Sequence, residues 1–250
     1  MLEIVGIHKK YRKNTVLAGV SLSAEPGQCV GIVGANGCGK TTLLSILAGA
    51  RKADGGSLKV DGKELLGHPF WQAEKIAYVP QENPFMEELS AKDNLSLWYR
   101  GNQRAMKKDL ESGAAAMLGI HEFINTPVGK LSGGMKKRLS IACALSNHAP
   151  VLILDEPTAA LDPVAESETY EDFHRFSGGK YPFGKTAVYI SHRLASTRFC
   201  DRIVLLEDGR IKEGGTHDEL MKKGGAYARM FEIQSQYYKK DSMEEVWIGQ

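Results

Sequence analysis

The chain has 250 residues, 42% hydrophobic and 25% charged, with 32 Lys plus Arg against 30 Asp plus Glu. That length allows one large α/β domain with an appended lobe, and the near balance of charge gives no electrostatic reason to expect nucleic acid as a partner. Cys29, Cys38, Cys143 and Cys200 lack zinc-like or disulfide-like spacing, no run is long and apolar enough to span a bilayer, and Met1-Leu2-Glu3-Ile4 lacks secretory character, so a cytosolic chain is expected.

In chain order, Leu2–His8 and Val16–Ala24 read as antiparallel strands. Cys29–Val33 is a short apolar run followed by a glycine-rich turn and a helical pattern over Thr41–Ala48. Lys75–Val79 reads as a strand ending at Pro80, and from about Phe85 to Asn147 no strand is apparent. Helices are expected there around Asp93–Tyr99, Arg104–Leu118 and Gly133–Ser146. Val151–Leu154 and Thr186–Ile190 resume the strand pattern. Short apolar runs with helices between them predict a buried parallel sheet of βαβ units. After His192 come one helix, a hairpin (Arg202–Leu206, the Asp208-Gly209 turn, Arg210–Glu213) and two short helices to about Tyr238. The expected organisation is a single domain over 1–238, a helical subdomain at about 85–147 inserted in it, and a polar tail over 239–250.

Gly34-Ala35-Asn36-Gly37-Cys38-Gly39-Lys40-Thr41 follows the pattern G-x-x-x-x-G-K-[ST] between a predicted strand and a predicted helix. Glycines let successive backbone N–H groups turn inward toward phosphate oxygens, and the helix start adds its positive dipole end. Lys40 supplies a point charge for the β- and γ-phosphates. Thr41 offers a hydroxyl to Mg²⁺, and Thr42 closes the phosphate-binding set. Nucleotide phosphate is the implied ligand, although this motif does not separate kinases, GTPases and transport ATPases.

Val151-Leu152-Ile153-Leu154 ends in Asp155-Glu156. Side chains alternate along a strand, so the two acids should diverge at its end, Asp155 toward a metal and Glu156 toward a water aligned on the γ-phosphate. Leu131-Ser132-Gly133-Gly134-Met135, followed by Lys136-Lys137-Arg138-Leu139, offers a second anion site, with Ser132 as N-cap and two glycines leaving N–H groups bare.

This last segment resembles the signature of ATP-binding cassette proteins, and the resemblance extends from about Leu2 to Tyr238. It implies a P-loop NTPase α/β core with a mostly parallel sheet, an N-terminal antiparallel β-subdomain and an inserted helical subdomain. It further implies ATP and Mg²⁺ as ligands, hydrolysis assisted by Glu156, His192 and Gln81, and metal contacts from Thr41, Gln81 and Asp155. Ser132, Gly133 and Gly134 would close over ATP held by a second cassette, as homodimer or heterodimer, with Ala159-Ala160-Leu161-Asp162 crossing the interface. Tyr11 lies where the family stacks an aromatic on adenine, although a lone tyrosine is more often a plain surface residue. An integral membrane permease on a separate chain is the implied partner, with this subunit peripheral on the cytoplasmic face. Pro84, Phe85, Met86, Trp98 and Tyr99 form the candidate docking stretch, unless they pack inside the lobe.

The chain departs from the pattern in three places. Met135 replaces a common glutamine, which should weaken closure. Cys38 inside the phosphate loop is either a passive small residue or an oxidant-sensitive thiol. The N-terminal half resembles stand-alone cassettes, and Leu161 to Tyr238 resembles cassettes fused behind an exporter's membrane domain, with Ser177–Thr186 reading as an insertion or recombination seam. A soluble non-transport cassette ATPase and the nucleotide-binding half of a fused exporter remain as alternatives.

Overall fold

The structure, a computed structural model, describes residues 1–82, 85–157, 185–191 and 194–244. His192, Pro84, the segment Ala159–Asp162 and the stretch Ser177–Gly184 lie outside the described residues.

Leu2–Tyr11 (β1) and Asn14–Ala24 (β2) pair antiparallel. Gly55–Val60 (β4) adds to the other edge of β1, and Lys63–Glu64 (β5) completes a four-stranded sheet ordered β2-β1-β4-β5. The apolar residues Leu2, Ile4 and Ile7 of β1 break strict alternation, but a register shift between Ile4 and Ile7 re-phases the strand. All three are therefore buried in one core.

The second sheet has six strands. Cys29–Val33 (β3), Ile76–Val79 (β6), Val151–Asp155 (β7), Thr186–Ile190 (β8) and Arg202–Glu207 (β9) are joined by parallel pairings. Arg210–Gly215 (β10) adds antiparallel, giving the order β10-β9-β3-β8-β7-β6. Alternate residues face opposite layers. Val30, Ile32, Ile153, Val188 and Ile190 share a core with the antiparallel sheet and with Leu43, Leu44, Ile46 and Leu47 of the helix Lys40–Leu47 (α1). Val33, Leu152, Leu154, Ala187 and Tyr189 pack against the helical side. Burial on both faces explains why these strands read as continuous apolar runs, each fully buried Leu, Ile or Val contributing about 1.5–3 kcal/mol.

Between β6 and β7 lie Ala91–Trp98 (α3), Gln103–Ser112 (α4), Ala114–Met117 (α5) and Gly133–Leu145 (α6), and Pro69–Lys75 (α2) precedes β6. The single helix expected over Arg104–Leu118 is broken at Gly113. Asp109 turns back there, its carboxylate accepting the Ala114 N–H at 2.8 Å and the Ala115 N–H at 3.2 Å, which starts α5 anew. At the C-terminus the expected helix after His192 is only the 3₁₀ turn Leu194–Thr197. His217–Lys223 (α7) begins at a capping box of Thr216 and Glu219. Ala226–Glu244 (α8) has 19 residues, so backbone expected to form a polar tail continues a long helix to Glu244. Cys29 and Cys200 are brought to an Sγ–Sγ distance of 3.4 Å as free, buried thiols.

Candidate phosphate and carboxylate site

The phosphate loop leaves β3 at Gly34. There φ is +151°, and a Cβ would lie 2.2 Å from the Leu206 carbonyl oxygen. At Gly39, φ is +108° and a Cβ would lie 2.8 Å from Leu17 Cδ2 and 2.9 Å from the Val16 carbonyl oxygen. Both positions exclude a side chain, by backbone conformation and by contact. Gly39 is also the N-cap of α1 and carries no side chain to satisfy the helix's first N–H groups, so the positive helix end stays open to an anion. Lys40 is buried, and its Nζ donates to the carbonyls of Gly34 at 2.8 Å and Ala35 at 3.1 Å.

Asn36, Gly37, Gly39, Lys40, Thr41, Thr42, Gln81 and Glu156 line one cavity of about 250 Å³. A second cavity of similar size is bounded by Gly34, Ala35, Asn36, Ser191 and Leu194, and by Met230 and Gln234 of α8. Gln81 thus meets the loop from β6, and Glu156 meets it from β7, the neighbouring strand.

Asp155 is 1% exposed at the end of β7. Its Oδ2 accepts the Tyr78 hydroxyl at 3.2 Å, while its Oδ1 has no hydrogen-bond partner among the described residues. Burial raises the Asp155 pKa, the Tyr78 hydrogen bond opposes that, Glu156 adds to it, and the Lys137 and Lys40 charges pull it back. Glu156 is also buried, at φ +46°, with its N–H donating to the Ile190 carbonyl at 3.1 Å. A glutamate held in the left-handed region is strained backbone, and here it sits beside the phosphate loop. Burial raises its pKa against the pull of Lys40.

Other sequence candidates lie apart. Ser132 caps α6, its hydroxyl accepting the Met135 N–H at 3.2 Å, and Ser132 and Gly133 are exposed and do not line the cavity. Met135 is partly buried against the helical core, and Cys38 is partly buried against the core around α1. Tyr11 does not line the cavity. Its hydroxyl accepts from Arg51, and the Lys9 and Arg51 cations lie 5.3 and 5.5 Å from its ring centroid.

Residues 17–159 match the family profile described as ABC transporter. The chain belongs to the ABC transporter family. It carries that family's ATP-binding cassette and is an ATPase of that type. Among curated ABC relatives, the Nod factor export ATP-binding protein I of Ralstonia nicotianae is 33% identical over 222 residues, covering 87% of this chain and 68% of that protein. The alpha-hemolysin translocation ATP-binding protein HlyB of Escherichia coli is 34% identical over 233 residues, covering 88% of this chain but only 32% of the relative. The chain therefore spans most of one ABC relative and about a third of the other. A solved dimeric ATP-binding cassette in a post-hydrolysis state, bound to ADP and Pi, superposes with a TM-score of 0.74 at 27% identity, covering 86% of this chain and 98% of that one. A bacterial Atm1-family ABC exporter with ATP bound superposes at 0.79, with 27% identity and 93% of this chain covered against 41% of that one.

Two residues at the ABC site escape motif reading. Tyr78 is signalled only by its place one strand over from Asp155, and Lys137 is hidden in a basic run that reads as a solvated face.

Proposed function

We propose that the chain binds MgATP through Gly34–Thr42, closes face to face with a second cassette around two nucleotides, and couples hydrolysis to a separate membrane permease. The convergence of the phosphate loop, Gln81 and Glu156 on one cavity carries this reading. Backbone N–H groups of the loop and the Lys40 ammonium hold the phosphates. Glu156 orients a water and takes its proton as the new P–O bond forms and ADP leaves, and its burial brings its proton affinity nearer the working pH. Its cost is strained backbone, tolerated where Ile190 and Lys40 hold it.

The residues present fit Mg²⁺. Asp155 Oδ1 is a buried carboxylate oxygen without a hydrogen-bond partner among the described residues, and the Thr41 hydroxyl and Gln81 amide are further hard oxygen donors. When bound there, Mg²⁺ would neutralise charge on the β- and γ-phosphates. His192 is proposed to contact the γ-phosphate, and Tyr11 to stack on adenine with Arg51 holding its hydroxyl. Ser132, Gly133 and Gly134 are proposed to meet the nucleotide of the second cassette, which the capped helix start and the exposure of Ser132 and Gly133 support.

For the permease, Met86, Leu89, Leu97 and Trp98 are 55%, 38%, 57% and 51% exposed. The Asn94 amide exchanges hydrogen bonds of 3.0 Å with the Met86 N–H and carbonyl, which ties that loop to α3. The result is an apolar patch suited to a membrane partner at the cytoplasmic face. Tyr99, by contrast, is buried with its hydroxyl on Asp109. Among the described residues no helix is long and apolar enough to cross a membrane. Coverage of only 32% of the alpha-hemolysin translocation protein and 41% of the Atm1-family exporter favours a second reading, in which this is the nucleotide-binding half of a longer exporter chain. A membrane-spanning segment encoded in the same reading frame would decide for that reading.

The test is Glu156→Gln. The variant is expected to bind MgATP, to elute at twice the parent's mass, and to lose turnover by about 10²–10⁴-fold. Turnover at the parent rate would remove Glu156 as base, and a monomer under saturating MgATP would remove the closed dimer.

A further inference from the structure

Lys136-Lys137-Arg138 reads as a basic helix surface, yet the three side chains end in different places. Lys136 Nζ meets Glu87 at 2.9 Å, and the Arg138 guanidinium meets Glu122 at 3.7 Å while lying over Phe123. Lys137 goes inward and is 4% exposed. Its Nζ donates to the main-chain carbonyls of Pro80 at 3.1 Å and Gln81 at 3.2 Å. A buried ammonium is costly unless its donors are satisfied, and here both acceptors belong to the segment that leaves β6 for the site. An apolar side chain could fill the same space without that cost, so the charge calls for a reason beyond packing.

The geometry supplies one. Lys137 lies one helical turn after Gly133, on the helix that opens with Ser132 and the paired glycines. Gln81, whose main-chain carbonyl it grips, lines the cavity with Thr41, Thr42 and Glu156. A rigid helix thus carries the second anion site at its start and holds the main chain of Gln81 one turn further on. Lys136, bonded to Glu87, ties the same helix to residues just beyond Gln81.

We propose that Lys137 is a positioning residue that fixes Gln81 to α6, so that the reach of the Gln81 amide into the phosphate cavity follows the placement of the signature helix. The proposal rests on the nucleotide reading above. A second cassette closing on Ser132–Gly134 bears on α6, and Lys137 passes the displacement directly to Gln81.

A double-mutant cycle on the purified chain tests this. Lys137→Met, which keeps an unbranched side chain one atom shorter and removes the donors, should lower the kcat of ATP hydrolysis about tenfold and change KM by less than about threefold. In a Gln81→Ala background the same substitution should change kcat by less than about twofold, because the residue it positions is already gone. Multiplying losses in the double variant, or a parent-like kcat in Lys137→Met, would overturn the proposal. If Lys137→Met does not fold, Lys137→Gln, which keeps an uncharged NH2 donor group, goes through the same cycle with a smaller expected loss. Binding of a fluorescent ATP analogue in EDTA is measured on every variant. Failure of the parent to bind would reject the nucleotide reading itself, whereas normal binding with multiplicative losses rejects only the role of Lys137.

Discussion

Glu213 of β10 caps the long C-terminal helix. Its Oε1 accepts the Ala226 N–H at 2.7 Å and its Oε2 accepts the Tyr227 N–H at 3.2 Å. The helix it starts buries Tyr227, and Gln234 on that helix accepts the Leu194 N–H at 2.9 Å beside the phosphate loop. Glu213→Gln keeps one carbonyl acceptor but loses a bond worth about 1 kcal/mol. It also removes a negative charge from a helix N-terminus, worth about 1 kcal/mol more. A loss of about 2 kcal/mol in a chain of this size lowers Tm by about 4–8 °C near neutral pH. Burial opposes ionisation of Glu213, but the two N–H bonds and the Lys223 and Arg229 charges outweigh it and hold its pKa below the usual value. A depressed carboxylate stabilises the fold above the unfolded-state pKa, and that stability is lost as pH falls through the folded value. The gap between parent and variant should therefore be full near neutrality and shrink below about pH 4.3. Thermal melts followed by circular dichroism across that range check it. Equal stability at neutral pH, or a gap undiminished in acid, refutes the capping account. A Cβ on Gly225 would lie 2.3 Å from Glu213 Oε1, so Gly225→Ala should destabilise the parent and become nearly neutral in Glu213→Ala.

Lys40→Ala removes the one ammonium that lines the cavity with Gln81 and Glu156 among the described residues, and should weaken ATP binding in EDTA by at least about tenfold, read by fluorescence titration; unaltered affinity would count against the loop assignment. Tyr78→Phe deletes the hydroxyl that donates to Asp155 Oδ2. It should raise the magnesium concentration for half-maximal ATPase about tenfold while leaving metal-free ATP binding intact. An unchanged magnesium titration would show that Tyr78 does not orient that carboxylate.

Much of this protein is legible in short stretches of sequence. The six loop residues lining the cavity are legible because a phosphate loop is built within contiguous residues whose glycines dictate the backbone, whereas Glu156 is singled out by the acid pair after β7 and Gln81 only by the family resemblance. The buried parallel strands are legible for a similar reason, since burial on both faces leaves continuous apolar runs. Less legible were β4, β5 and α2, where Gly55-Gly56 and short polar stretches carry little periodicity, and the break at Gly113, which depends on where the Asp109 carboxylate turns. Equally, no pattern in Phe85–Tyr99 shows that Trp98 is exposed while its neighbour Tyr99 is buried.

The sequence by itself determined the phosphate loop, the carboxylate pair after β7, the capped glycine start of α6 and the family they belong to, because each is written in a few adjacent residues whose chemistry is local. Only the tertiary structure decided that Lys137 grips the Gln81 carbonyl, that Tyr78 holds Asp155, that Glu213 caps α8 and that the thiols of Cys29 and Cys200 meet. These partners lie between 13 and 171 residues apart in the chain. Periodicity reports which face of an element is buried. Which group waits on the other side is set by how the two sheets and the helices between them pack.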